Sequence, residues 1–138
     1  MTDLRQVFDD LVRFETILWG AIDGRLQEEC GVSLASLNGM LVIDATPLCR
    51  VHDIARAIAI TVGGASQAVD RLESAGLCVR RANPSDRRSS IVELTPEGME
   101  LLATAAPVFD SELDRLLPCH PFAFRRDHRN KGYFYVRR

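Results

Sequence analysis

The stretch from Asp53 to Gly98, DIARAIAITVGGASQAVDRLESAGLCVRRANPSDRRSSIVELTPEG, decides how this chain folds. Its opening predicts a short helix over Asp53 to Ala59, with Ile54, Ala55, Ile58 and Ala59 on one apolar face, and a turn through Ile60. Thr61 stands where a helix N-cap belongs, because its hydroxyl can accept from the unpaired amides of the next turn. From Val62 a second helix runs to about Ala75, with Ala65, Ala68, Val69 and Leu72 inward and Ser66, Gln67, Asp70 and Arg71 outward. Gly76 ends it in the left-handed conformation that such ends favour. A two-stranded hairpin follows, with Asn83-Pro84-Ser85-Asp86-Arg87-Arg88-Ser89 at its tip. Helix, turn, helix and basic wing in that order make a shape suited to lie on duplex DNA.

These residues carry a family resemblance. The run Asp53-Ile54-Ala55, the segment Thr61 to Gly76, the NPSDRR tip at Asn83 to Arg88 and Leu94-Thr95-Pro96-Glu97-Gly98 resemble the MarR family of winged helix-turn-helix regulators over roughly residues 3 to 117. The most specific parts are the RLE-x-x-GL junction at Arg71 to Leu77, the DRR wing tip and the LTPEG helix start; several signals in order are stronger than any one alone. The resemblance implies a cytoplasmic homodimer on a pseudo-palindromic double-stranded DNA operator, acting as a repressor and released by a small-molecule effector or by thiol oxidation. It also implies that the effector sits between the dimer helices and the reading unit.

The flanking sequence supplies a helical frame. Leu4, Val7, Phe8, Leu11, Leu18, Trp19, Ile22 and Leu26 recur at three- and four-residue steps, which marks one long amphipathic helix over residues 3 to 28. A helix of ~25 residues reaches ~38 Å, beyond the body of so small a domain, so part of its apolar face is expected to meet a second subunit. Residues 33 to 44 predict another helix with Leu34, Leu37, Leu41 and Val42 buried, and Pro47 breaks the chain after it. After the wing, Thr95 is an N-cap and Pro96 suits the first turn of a helix carrying Met99, Leu102, Ala106, Phe109, Leu113 and Leu116 on one face. Pro107 lies inside it and should kink it, and Pro118 stops it. The expected fold is mainly α with a small β-hairpin wing, divided into a dimerisation helix (1–32), a winged helix-turn-helix (33–95), a linker and dimerisation helix (96–118) and an atypical tail (119–138). Leu4, Val7, Phe8, Leu11, Phe109, Leu113 and Leu116 are the expected dimerisation residues.

Composition sets bounds. A chain of 138 residues with 46% hydrophobic content suits one domain, and no apolar run approaches the ~20 residues that cross a bilayer. The start, MTDLRQVFDD, is acidic rather than basic, so no secretory signal is expected. The net charge of −2 hides an asymmetry: residues 1 to 118 hold 11 Arg against 18 carboxylates, residues 119 to 138 six basic side chains against one acid, and residues 50 to 90 seven Arg against four acids. Phosphate contact depends on local field, so a low isoelectric point weighs little against DNA binding. Cys30, Cys49, Cys78 and Cys119 form no C-x-x-C pair, and read as small buried hydrophobes; Cys30 and Cys49 flank the second helix, which keeps a redox switch open.

On the reading helix, Gln67 and Ser66 are the expected direct readers. Glutamine can bond adenine bidentately; many family members carry Arg at the position aligned with Gln67, and its loss would move preference from guanine towards adenine. Gly63 and Gly64 each cost about 0.8 to 1 kcal/mol of helix propensity against Ala. Either bare backbone there approaches phosphate oxygens, or the glycines let the helix pack closely on the first. Arg71 can reach phosphate, or pair with Asp70 or with Asp86 in the wing. Arg80 and Arg81 lie on the first wing strand and Arg87 and Arg88 at its tip; the resemblance implies that Arg87 enters the minor groove and that Asp86 orients an Arg by a charge-assisted bond. Thr61, Gly63, Gly64, Ser66, Gln67, Arg71, Arg80, Asp86, Arg87 and Arg88 are thus the expected DNA-binding set.

The last 20 residues, CHPFAFRRDHRNKGYFYVRR, depart from the family's further dimerisation helix. Basic residues interleaved with Phe122, Phe124, Tyr133, Phe134 and Tyr135 could stack on or follow a nucleic acid strand. A basic tail without structure, a strand packed on the body, or an extension arising from altered coding sequence are the other readings. Cys119, His120 and His128 offer three metal ligands without a clear fourth, so no metal and no cofactor is expected. Two other functions compete: a winged-helix protein-interaction module or DNA-binding-impaired relative, and an enzyme. The wing arginines speak against the first. Against the second, GGAS at Gly63 to Ser66 lacks the following Gly and preceding strand of a nucleophile elbow, and no phosphate loop is present.

Overall fold

The computed structural model describes residues 3–117 with their side chains, and the backbone of two further strands at 122–127 and 132–137. The order is α1 (Leu4–Cys30), α2 (Leu34–Ala45), α3 (Val51–Ala57), α4 (Val62–Ser74), β1 (Cys78–Ala82), β2 (Ser90–Leu94), α5 (Pro96–Leu116), β3 (Phe122–Asp127) and β4 (Gly132–Arg137). Strands β1 and β2 pair antiparallel, from Cys78 opposite Leu94 to Ala82 opposite Ser90. The Val92 amide donates to the Cys49 carbonyl at 2.7 Å, which ties the wing to the entry of α3. Among the described residues, no helix is long and apolar enough to cross a membrane.

Leu26, Leu37, Met40, Ile54, Val69 and Val92 meet in one core contributed by α1, α2, α3, α4 and β2. Each such side chain contributes roughly 1.5 to 3 kcal/mol of burial. Leu34, Leu37 and Val42 are buried as the α2 periodicity requires, whereas Leu41 is only half-buried and Met40 and Ile43 complete the inward face. Helix α1 divides along its length: Ile22 and Leu26 join the core, while Leu4, Phe8 and Leu11 stand 62–78% exposed. Helix α5 runs as one element through Pro107, with Leu102 and Ala105 buried and Phe109, Leu113 and Leu116 half-buried against the core. Met99 departs from the expected inward face and is 52% exposed. Glu112 is buried at the α1–α5 seam, where Arg115 and Arg25 lie 2.5 and 3.8 Å away. Its hydrogen bond to Arg115 outweighs desolvation and holds the carboxyl below the usual range.

Two boundaries shift for local reasons. Helix α3 begins at Val51 rather than Asp53, because Asp53 sits in the first turn and its carboxylate accepts the Arg50 amide at 2.9 Å. It ends at Ala57, and Ala59 turns left-handed at φ 56° while the Ile60 amide donates to the Ala55 carbonyl at 3.0 Å. Alanine thus occupies the place glycine usually takes, at a cost of roughly 1 to 2 kcal/mol. The C-terminal tail holds strands β3 and β4, paired antiparallel. Cys119, His120 and His128 lie outside the described residues.

Candidate nucleic-acid interface

Thr61 caps α4 as its sequence position requires, its hydroxyl accepting the Gly64 amide at 3.0 Å. At the other end Gly76 adopts φ 74°, the Gly76 amide bonds to the Glu73 carbonyl at 3.0 Å and the Leu77 amide to the Leu72 carbonyl at 2.9 Å. That paired motif stops the helix and aims the chain into β1. Thr95 locks the same junction from the other side. Its amide donates to the Leu77 carbonyl at 3.1 Å, its hydroxyl donates to the Gly76 carbonyl at 2.6 Å and accepts the Gly98 amide at 3.0 Å. A Cβ on Gly98 would lie 2.0 Å from the Leu77 oxygen, which explains glycine in LTPEG. The start of α5 is therefore fastened to the end of α4.

With Ala65, Val69 and Leu72 buried, α4 turns Gly63, Gln67, Asp70 and Arg71 outward, with Ser66 half-buried beside them. The packing explanation for the two glycines fails: a Cβ on Gly63 meets nothing within 4 Å, and one on Gly64 meets only Thr61 and Ile60. Neither touches α3. Val62 lies outside the set expected from the sequence, yet it is 44% exposed one turn before Ser66 on the same edge. The signal available for it was its place directly after the Thr61 cap; an apolar residue there suits a thymine methyl.

The wing tip is braced by its own side chains. Asn83 accepts the Ser85 amide at 3.0 Å and donates to the Ser89 hydroxyl at 2.9 Å, and Asp86 accepts the Arg88 amide at 2.9 Å. Asp86 thus bonds to backbone, and among the described residues it does not make the charge-assisted bond to an arginine side chain that the resemblance implied. Arg81 pairs with Glu93 across the hairpin. Arg80 is a strut rather than a free cation: its guanidinium meets Asp70 at 2.7 Å, Glu73 at 3.2 Å and the Ser66 carbonyl at 3.3 Å, fixing the wing to the reading helix. Asp70 therefore pairs with Arg80 and not with Arg71. Among the described residues no carboxylate bridges Arg71, Arg87 or Arg88, and all three are exposed. Structural partners hold the other wing arginines, which leaves these three available to an external anion.

Cys49 and Cys78 are buried, and burial, with Asp53 and Glu73 respectively adding to it, pushes each thiol up to about 11. Cys30 is half-buried and free. A shallow recess of about 170 Å³ lies between α2, β2 and α5, lined by Ile43, Thr46, Leu48, Val92, Leu94 and Met99 among others.

A reading helix braced to an arginine-tipped hairpin defines a winged helix-turn-helix protein. The MarR family model matches residues 26–90. The chain is 32% identical over 71 residues to the HTH-type transcriptional regulator MhqR of Bacillus subtilis (strain 168); the match spans 51% of this chain and 47%, about half, of that relative's length. Among solved structures it is similar to Sco3205, a MarR family transcriptional regulator from Streptomyces coelicolor in complex with DNA, with TM-score 0.77 and 28% identity over 85% of this chain and 76% of that one. It is also similar to CouR from Rhodococcus jostii RHA1 bound to p-coumaroyl-CoA, with TM-score 0.72 and 26% identity over 80% and 78% of the two chains.

Proposed function

We propose that this protein is a sequence-specific double-stranded DNA-binding transcriptional regulator that works in the cytoplasm as a homodimer on a pseudo-palindromic operator. The observation that carries this reading is the wing tip, where Asn83 and Asp86 stiffen the turn and Arg87 and Arg88 have no carboxylate partner among the described residues. Stiff, unpaired cations beside an exposed helix suit phosphate contact and minor-groove entry. Gly63 fits close approach of α4 to the sugar-phosphate backbone, since among the described residues nothing lies within 4 Å of where its Cβ would be. Gln67 and Ser66 are its base readers, and Arg71 a phosphate contact one turn on.

Dimerisation falls to Leu4, Val7, Phe8 and Leu11, which lie 38–78% exposed along the outer half of α1. Phe109, Leu113 and Leu116 join them with the surface their own protomer leaves uncovered. Repression relieved by a small-molecule effector completes the proposal, supported by a relative bound to p-coumaroyl-CoA and another bound to DNA. No residue is assigned a catalytic role.

The test is fluorescence anisotropy on duplex from the protein's own promoter region against a shuffled duplex at two salt concentrations, with mass measured by light scattering. Tight, sequence-dependent, salt-sensitive binding by a dimer is expected. Absence of sequence preference would replace the regulator with a protein-interaction module.

A further inference from the structure

Four exposed residues of α4, Gly63, Gln67, Asp70 and Ser74, follow one another at helical steps of three and four. At ~3.6 residues per turn that spacing puts them on one stripe, directly opposite the buried Ala65, Val69 and Leu72. The glycine assigned to close backbone approach and the glutamine assigned to base reading thus share their stripe with a carboxylate. A bare anion there would repel the phosphates that border a groove. Asp70 is not bare. Arg80 reaches it from β1, its guanidinium meeting Oδ1 at 2.7 Å while Glu73 at 3.2 Å and the Ser66 carbonyl at 3.3 Å hold that guanidinium in place. The Asp70 side chain nevertheless stays 61% exposed. An ionised carboxylate has about four lone-pair sites, so one bonded guanidinium leaves it able to accept again.

We propose that Asp70 is a further base reader, accepting from the exocyclic amine of a cytosine in the major groove, with Arg80 as the positioning residue that neutralises and aims it; this rests on the reading of the protein as a duplex-binding regulator. A carboxylate only accepts, and cytosine presents an amine donor in the major groove where guanine and thymine present acceptors. Those two bases are therefore repelled. Adenine sets an N7 acceptor beside its amine, which a carboxylate meets less well than an amide does. Gln67 and Asp70 lie about 4.5 Å apart along the helix axis, close to the ~3.4 Å step of a duplex strand. The two side chains accordingly address neighbouring base pairs. Arg80 contributes to specificity without touching DNA, because it fixes the carboxylate and cancels its charge.

The experiment is binding-site selection from a random duplex library with the full-length chain and its variants, followed by anisotropy on the selected duplex and on a shuffled one. The wild-type motif should hold a cytosine beside the base pair whose preference Gln67→Ala relaxes, favoured about 5-fold or more. Asp70→Ala should level that preference and leave affinity for the shuffled duplex equal or higher, since a negative charge leaves the interface. Asp70→Asn should move the preference towards adenine, whose N6 and N7 an amide bonds together. Glu73→Ala loosens the same arginine and keeps the Asp70 carboxylate, so the cytosine preference should survive it. Equal loss of that preference in Glu73→Ala would make Asp70 a brace alone and overturn the proposal. So would an unchanged motif in Asp70→Ala, whether or not binding weakens uniformly. A wild-type chain that enriches no sequence would overturn the regulator reading, and this proposal with it.

Discussion

Replacing Gly98 by Ala should separate backbone crowding from helix propensity, because the two act in opposite directions at this residue. Alanine is the better helix former by about 0.8 to 1 kcal/mol, so propensity alone makes the variant more stable. The added methyl, however, would sit 2.0 Å from the Leu77 oxygen and 3.0 Å from its carbonyl carbon. Carbon and oxygen come no closer than about 3.3 Å in ordinary packing, so the α5 start and the α4–β1 junction must part by roughly 1.3 Å. That junction cannot yield locally: the Leu77 carbonyl accepts the Thr95 amide, the Leu77 amide holds the Leu72 carbonyl, and the Thr95 hydroxyl holds the Gly76 carbonyl. Overpacking costs about 1 to 3 kcal/mol, and one lost hydrogen bond adds about 1 kcal/mol. Against the propensity gain, the variant should lose about 2 kcal/mol. For a chain of this length that lowers Tm by about 8 °C. Far-UV circular dichroism melts at one fixed protein concentration measure it, since association makes Tm concentration-dependent. An unchanged or raised Tm would falsify the account of the junction.

The remaining predictions concern the DNA-reading face and the buried thiols. Gly63→Ala should raise stability by about 0.4 to 1 kcal/mol, since its Cβ meets nothing within 4 Å among the described residues, yet weaken duplex binding; a variant both more stable and equally tight would remove the close-approach role. Arg87→Ala should weaken binding across many duplex sequences and flatten the slope of log affinity against log salt by about one, and loss confined to a single base position would contradict that role. Gln67→Ala should relax preference at one base pair by about 1 to 3 kcal/mol, read by binding-site selection; an unchanged selected motif would exclude it as a reader. Cys49 and Cys78, with thiols pushed up to about 11, should resist iodoacetamide at pH 8 while Cys30 is labelled, as mapped by peptide mass spectrometry. Unfolded thiols ionise near 8.5 to 9. Between pH 9 and pH 11 the native state therefore holds protons that the unfolded state has released, and stability should fall as pH rises through that window. A midpoint of denaturation constant across it would mean the thiols ionise in place.

What the amino-acid sequence determines by itself is what acts over four residues or fewer. Thr61 and Thr95 cap helices because a hydroxyl at that spacing reaches an amide in the next turn, Gly76 ends α4 because it accepts positive φ, and Asn83 and Asp86 shape the wing tip through bonds to amides two residues on. Helix periodicity likewise puts Ala65, Val69 and Leu72 of α4 and Ile22 and Leu26 of α1 in the core, although it also places Trp19, which is 41% exposed, on the apolar stripe. Tertiary structure decides the choices among equivalent partners. Five arginines on the reading helix and wing look alike in sequence, but only folding brings Asp70, Glu73 and the Ser66 carbonyl to Arg80 and leaves Arg71, Arg87 and Arg88 without a carboxylate among the described residues. Gly63, Gly64 and Gly98 are one letter with three reasons: open space, the helix's own cap, and a carbonyl 21 residues back along the chain. Ala59 carries no signal for its left-handed turn, and Glu112 none for burial. Such outcomes depend on which distant backbone arrives beside a residue, and that is set by the packing of the whole core rather than by its neighbours in the chain.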